Sequence, residues 1–131
     1  AIGRGFGDNT VAALVTRGTA EISRMGSVLG GARETFSGLA GIGDLVVTCF
    51  SGHSRNREVG YRLGSGEKVG AVLDSMEQVA EGVPTCQAVH ELCVRRAVEM
   101  PIAETVYRIV HDGLSVEEGV EILLTRRAEE E

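Results

Sequence analysis

Residues 51–60, SGHSRNREVG, place His53, Ser54, Arg55, Asn56 and Arg57 in consecutive positions, just after the apolar run from Leu45 to Phe50. Two chemistries fit so dense a set of donors. Ser or Asn can cap the first turn of a helix and leave the arginines in water. Alternatively, a helix N-terminus flanked by hydroxyl, guanidinium and amide side chains holds a phosphate, because aligned N–H groups favour an anion and the guanidinium fork matches its oxygens. Arg57 falls on another helix face and is expected to be exposed. Asp44 precedes Ser54 by ten positions, within GLAGIGDLVVTC, where an ionised carboxylate is costly to bury without partners. Alone, it reads as a capped or salt-bridged structural acid. Beside the Ser-Arg-Asn cluster it becomes an acid that can orient a base or a hydroxyl next to a phosphate clamp.

Other short motifs carry less chemistry. GSGEKVG, from Gly64 to Gly70, has the spacing G-x-G-x-x-x-G and follows a helix, so it reads as a helix stop and turn, not as a dinucleotide loop. GRGFG at Gly3–Gly7 fits no better, and the chain holds no Rossmann unit of its own. His53, His90 and His111 are scattered, have no metal partner in sequence, and read as surface or packing histidines. Neither Ser51 nor Ser54 sits in a nucleophile elbow. Lys68, the sole lysine, stands beside Glu67 in a turn, so a lysine acid or base must come from elsewhere.

These residues have to be positioned by what surrounds them, and composition bounds that setting. A chain of 131 residues fits one domain with a sizeable core. The net charge of -6 and pI near 5.1 argue against a nucleic-acid surface, so any anion site is local. Cys49, Cys86 and Cys93 form no C-x-x-C pair and are odd in number, which reads as reduced thiols in a cytoplasmic protein. No run approaches the ~20 apolar residues of a membrane helix, and no signal sequence opens the chain. The Gly-rich start at Ala1 suggests a fragment of something longer.

The periodicity is helical almost throughout. After the candidate N-cap pair Asp8-Asn9, Val11, Leu14, Val15, Ile22, Met25 and Leu29 form a stripe that Gly30-Gly31 closes. ARETFSGLAG suggests a short turn and a bend. Ile42–Phe50 is apolar nearly all round, and is either a buried helix or a buried strand. A helix is expected from Ser54 to Leu63, stopping at Gly64, and a shorter one over Val69–Met76. Thr85 is placed to cap a helix carrying Val89, Leu92 and Cys93, after a break at Val83-Pro84. Pro101 opens another, with Ile102, Val106, Ile109 and Val110 in register before Gly113. Ser115–Glu118 is a capping box for the last, through Val120, Leu123 and Leu124. The RRAEEE end reads as a solvated helix terminus. The fold class is all-α. Of 18 glycines, all but Gly82, Gly113 and Gly119 fall at or before Gly70, which directs the search for a ligand site to the first half.

Taken together, GDNTVAALVTRGTAEISRMG, TFSGLAGIGDLVVTCFSGHSRNREVGYRLGSG and QVAEGVPT resemble the C-terminal half of bacterial NAD(P)-dependent sn-glycerol-3-phosphate dehydrogenase, over essentially the whole chain. The resemblance implies that residues 1–131 form a multi-helical substrate domain similar to that of 6-phosphogluconate dehydrogenase. It would pack against the enzyme's own N-terminal Rossmann domain. The implied reaction is hydride transfer between NAD or NADP and the pair dihydroxyacetone phosphate and sn-glycerol 3-phosphate, for phospholipid synthesis. By position, Asp44, Ser54, Arg55 and Asn56 match substrate-binding residues, while Arg55, Val79 and Glu81 match cofactor contacts. The family's general acid/base lysine lies in an upstream K-N motif that this sequence lacks, as it lacks the Gly-rich cofactor loop. The fragment is therefore expected not to turn over substrate alone. A homodimer is left open. Two other readings stand beside this one: a dehydrogenase of the same helical type acting on a different phosphorylated or carboxylated hydroxy compound, and a non-catalytic helical interaction module.

Overall fold

The protein is described by a computed structural model covering residues 1–125. Its elements are a single 3-10 turn at Ile2–Arg4 and helices α1 (Asp8–Val28), α2 (Arg33–Phe36), α3 (Asp44–Phe50), α4 (Arg55–Gly64), α5 (Val69–Asp74), α6 (Gly82–Arg96), α7 (Pro101–His111) and α8 (Val116–Thr125), with a π-helical turn at Leu39–Gly43 leading into α3. The all-α expectation holds, with no strand among the described residues.

The long helix α1 is the spine. It ends where Gly30 adopts the left-handed conformation at φ 89°, letting the Gly31 N–H reach back to the Gly26 carbonyl at 2.8 Å. Glu21, buried in its middle, accepts from the main-chain N–H groups of Ile102 at 2.7 Å and Ala103 at 3.1 Å. These are first-turn donors of α7 with no partner inside that helix, so the carboxylate both satisfies them and lies at the positive end of the dipole. Pro101 opens α7 as expected. α6 is tied to α7 by His90, whose Nδ1 lies 2.6 Å from Glu104 Oε2 and whose ring stacks on Tyr107 at 3.9 Å.

Two buried clusters hold the helices. Val59 and Leu63 from α4, Val72 from α5 and Ala80 form one, with Ile109 and Val116 packed against it. Met25, Val98 and Met100 form the other, against Val89 and Leu92 of α6. The first matters for function. Burying Val59 and Leu63 on one face of α4 fixes which way its opening residues, Arg55 and Asn56, are presented. At the far end Ser115 and Glu118 form the expected capping box, with the Glu118 N–H donating to Ser115 Oγ at 3.1 Å and the Ser115 N–H donating to Glu118 Oε2 at 3.1 Å.

Several boundaries differ from the sequence reading. Asp8 is the first residue of α1, and Asn9 lies within it; the cap is Gly7, with no side-chain bond. The acid still sits favourably in the first turn. α6 begins at Gly82, so Thr85 is inside the helix, its N–H bonded to the Glu81 carbonyl at 3.1 Å, and Pro84 occupies a first-turn position where its missing N–H costs nothing. Ile42–Phe50 is neither strand nor buried: Leu45, Thr48 and Cys49 are half-buried, whereas Val47 is 65% exposed and Phe50 55%. Its apolar character belongs to a face that no described element covers. The RRAEEE terminus lies outside the described residues.

Candidate functional site

α3 ends at Phe50 and the chain turns through Ser51–Ser54 into α4, so that the end of one helix and the start of the next frame a cleft of about 280 Å³. Val47, Thr48 and Ser51 line it from α3 and the turn, His53, Ser54, Arg55 and Asn56 from the turn and α4, and Glu81 from the residue preceding α6. Segments far apart in sequence thus meet at one polar opening.

The helix-cap reading of SGHSRNREVG is realised, and the residues of the anion-site reading line the cleft beside it. Ser54 is the N-cap of α4, in extended conformation, and its Oγ accepts from the Arg57 N–H at 3.2 Å. That bond uses the hydroxyl as an acceptor and leaves its O–H to donate into the cleft. Arg55 is exposed, and its Nη1 donates to Gln78 Oε1 at 3.0 Å. One of five guanidinium N–H donors is thereby committed to the segment between α5 and α6, with the other donors available. Asn56 Oδ1 accepts from the Gly82 N–H at 2.9 Å. This bond anchors the start of α6 to the start of α4 and fixes the amide so that Nδ2, a donor, is what Asn56 can offer a ligand. A Cβ at Gly82 would fall 2.9 Å from Asn56 Oδ1, so a larger residue there would have to displace the Asn56 amide.

Glu81 lines the same cleft with its side chain exposed. Val79 lies in the segment leading to it and is 63% exposed, but it does not line the cleft. Asp44 is the first residue of α3 and is exposed, so the burial cost anticipated for it is absent. It stands one helical turn before Val47 and Thr48, on the side of α3 that they carry to the cleft wall. Lys68 precedes α5 and plays no part in this cleft.

Thr48 was passed over in the sequence. It and Ser51 add hydroxyls to the wall, and His53, exposed as its surface reading expects, lines the opening beside Arg55. The signal for Thr48 was its spacing of four from Asp44, which brings two side chains together only on a helix. Arg57 also departs from expectation. It is half-buried, and its Nε has no hydrogen-bond partner among the described residues. It faces away from the cleft, into an apolar cavity of about 360 Å³ shared with Cys49 and Ala1. Burial pushes the Cys49 thiol up, as it does those of Cys86 and Cys93, so all three favour the neutral form.

The arrangement suits an anionic ligand of metabolite size: a guanidinium, an amide N–H₂ and hydroxyls converge at one opening, with carboxylates at its margins. Residues 1–121 match the family described as NAD-dependent glycerol-3-phosphate dehydrogenase C-terminus. A glycerol-3-phosphate dehydrogenase [NAD(P)+] of Geobacillus thermodenitrificans is 50% identical over 129 residues, covering 98% of this chain and 38% of that protein. One from Prosthecochloris aestuarii is 53% identical over 124 residues, covering 95% and 37%. The crystal structure of glycerol-3-phosphate dehydrogenase from Coxiella burnetii superposes with a TM-score of 0.91 at 44% identity, covering 95% of this chain and 38% of that one. The chain belongs to the NAD-dependent glycerol-3-phosphate dehydrogenase C-terminal family. It spans less than two-fifths of the length of these relatives.

Proposed function

We propose that this chain is the substrate domain of an NAD(P)-dependent glycerol-3-phosphate dehydrogenase. The enzyme interconverts dihydroxyacetone phosphate and sn-glycerol 3-phosphate in the cytoplasm, supplying glycerophospholipid synthesis. The observation that carries the reading is the convergence of Ser54, Arg55 and Asn56 with Glu81 on one cleft, in a chain of this family.

In this account the substrate phosphate sits against the remaining Arg55 N–H donors, the Ser54 O–H and Asn56 Nδ2. Holding the phosphate at a distance from the reacting carbon directs binding energy into aligning the carbonyl. Asp44, one turn along α3, accepts from a substrate hydroxyl or orients the ammonium of the acid/base lysine, which an upstream K-N motif supplies. Proton transfer to the carbonyl oxygen belongs to that lysine. Arg55, Val79 and Glu81 form the cofactor-facing edge. Their exposure fits that role, since an uncovered aliphatic surface and a free carboxylate suit a ring face and a ribose or carboxamide donor. The nicotinamide cofactor, when bound, supplies or accepts the hydride. Its phosphates are held by the N-terminal Rossmann domain.

The test is a dehydrogenase assay of the full-length protein containing this chain. Oxidation of NADH or NADPH dependent on dihydroxyacetone phosphate is expected, with none from residues 1–131 alone. A full-length protein inert with both cofactors sinks the proposal. Turnover by the isolated chain would show that the acid/base group was wrongly placed upstream.

A further inference from the structure

We infer that Gln78 is a positioning residue for Arg55, a neutral acceptor that orients the guanidinium fork for a bound phosphate without neutralising it; this rests on the reading of the cleft as a phosphate site, which Gln78 serves from outside the lining. Gln78 lies in the segment between α5 and α6, and its Oε1 accepts from Arg55 Nη1 at 3.0 Å, across 23 positions of sequence.

That segment is tied to α4 on both sides of Gln78. Arg62 Nη1 donates to Ser75 Oγ at 2.8 Å, and the Gly82 N–H donates to Asn56 Oδ1 at 2.9 Å. Between them Ala80 is buried in one cluster with Val59 and Leu63. Gln78 is exposed, but the backbone that carries it is anchored. Arg55 is an exposed side chain at the first position of α4, and an arginine left free there loses rotamer freedom whenever it closes on an anion. One already held by Gln78 has less to lose. The neutrality of the acceptor matters as much. Glu81 lines the same cleft, and a carboxylate that paired with the guanidinium would occupy the fork a phosphate needs. An amide oxygen takes one N–H and leaves the charge and the other donors to the ligand.

A double-mutant cycle tests this, by steady-state kinetics of the full-length protein on dihydroxyacetone phosphate. Gln78→Met keeps the length of the side chain and removes the acceptor. Its kcat/KM should fall about three- to tenfold, the scale of one ordinary hydrogen bond, with the loss lying in KM. In the Arg55→Lys background the same change should cost less than about twofold, because an ammonium is a point charge with no fork to orient. Gln78→Glu keeps an acceptor and adds a charge that competes with the phosphate, so its KM should rise above that of Gln78→Met. A merely structural Gln78 predicts the opposite, equal losses in both backgrounds and rescue by glutamate. Either of those results, or a Gln78→Met protein that matches wild type, overturns the role of Gln78 while leaving the phosphate site intact. If Arg55→Lys alone leaves kcat/KM unchanged, the phosphate reading fails and the role of Gln78 falls with it.

Discussion

Asn56→Asp separates ligand binding from architecture more sharply than any other substitution in the cleft. In the structure Asn56 Oδ1 accepts the Gly82 N–H at 2.9 Å, and the proposed substrate contact falls to its other atom, Nδ2. Aspartate preserves the first function. A carboxylate oxygen accepts the Gly82 N–H at least as well, and at the N-terminus of α6 it meets the positive end of the helix dipole, which contributes about 0.3–1 kcal/mol. It abolishes the second function, since an ionised carboxylate has no donor and repels a phosphate. Losing one hydrogen bond to a charged group costs about 1.5–3 kcal/mol, or roughly ten- to 150-fold in affinity, before repulsion is added. The full-length Asn56→Asp protein should therefore melt at or slightly above the wild-type temperature, while its kcat/KM for dihydroxyacetone phosphate falls by at least about tenfold. Asn56→Ala should instead lose both stability and activity. An Asp variant that binds substrate normally, or one that loses stability as the Ala variant does, refutes the division of labour between the two atoms.

Further outcomes follow from the same structure. Glu21→Ala leaves the Ile102 and Ala103 N–H groups unsatisfied in a buried position, so the described domain should lose about 1–3 kcal/mol by denaturant titration, and Glu21→Gln should recover part of it. Arg57→Met removes a buried N–H that has no partner among the described residues and keeps the aliphatic stem, so residues 1–131 should unfold at an unchanged or higher denaturant midpoint. The Ser115 hydrogen bonds hold the Glu118 carboxyl below its ordinary range. The stability this adds is complete above the ordinary carboxylate range and is lost as pH falls through the lowered value. Glu118→Gln should therefore flatten the acid limb of the melting curve and leave the neutral region little changed.

The sequence was most informative where a local rule decides the outcome. The α4 stop at Gly64, Pro101 opening α7 and the Ser115–Glu118 box are short-range hydrogen-bond and dihedral preferences, legible without tertiary knowledge. Thr85 was misplaced because Thr is a good cap, whereas tertiary contact with Asn56 starts α6 earlier, at Gly82. That bond joins residues 26 positions apart, and no pattern along the chain announces it. Ile42–Phe50 stayed undecided for a related reason: periodicity reports which residues are apolar, but not what covers them, and here the described elements leave several uncovered. The cluster at 54–56 was visible because its residue types are themselves unusual together. Thr48 was not, because a hydroxyl has too many ordinary roles until the backbone brings it to the cleft wall. Arg57 shows the same limit in reverse, since identical charge gave no hint that Arg55 is exposed and Arg57 half-buried.

The central claim is that Arg55 clamps a phosphate, and the most direct measurement compares kcat/KM of full-length wild type and Arg55→Lys on dihydroxyacetone phosphate and on dihydroxyacetone, which lacks the anion. Lysine keeps the charge and loses the planar fork. The account predicts a penalty of about 1.5–3 kcal/mol with the phosphorylated substrate, and a much smaller one without the phosphate. Equal penalties on both substrates would contradict it, and would return the Ser54–Asn56 cluster to a solvated helix start.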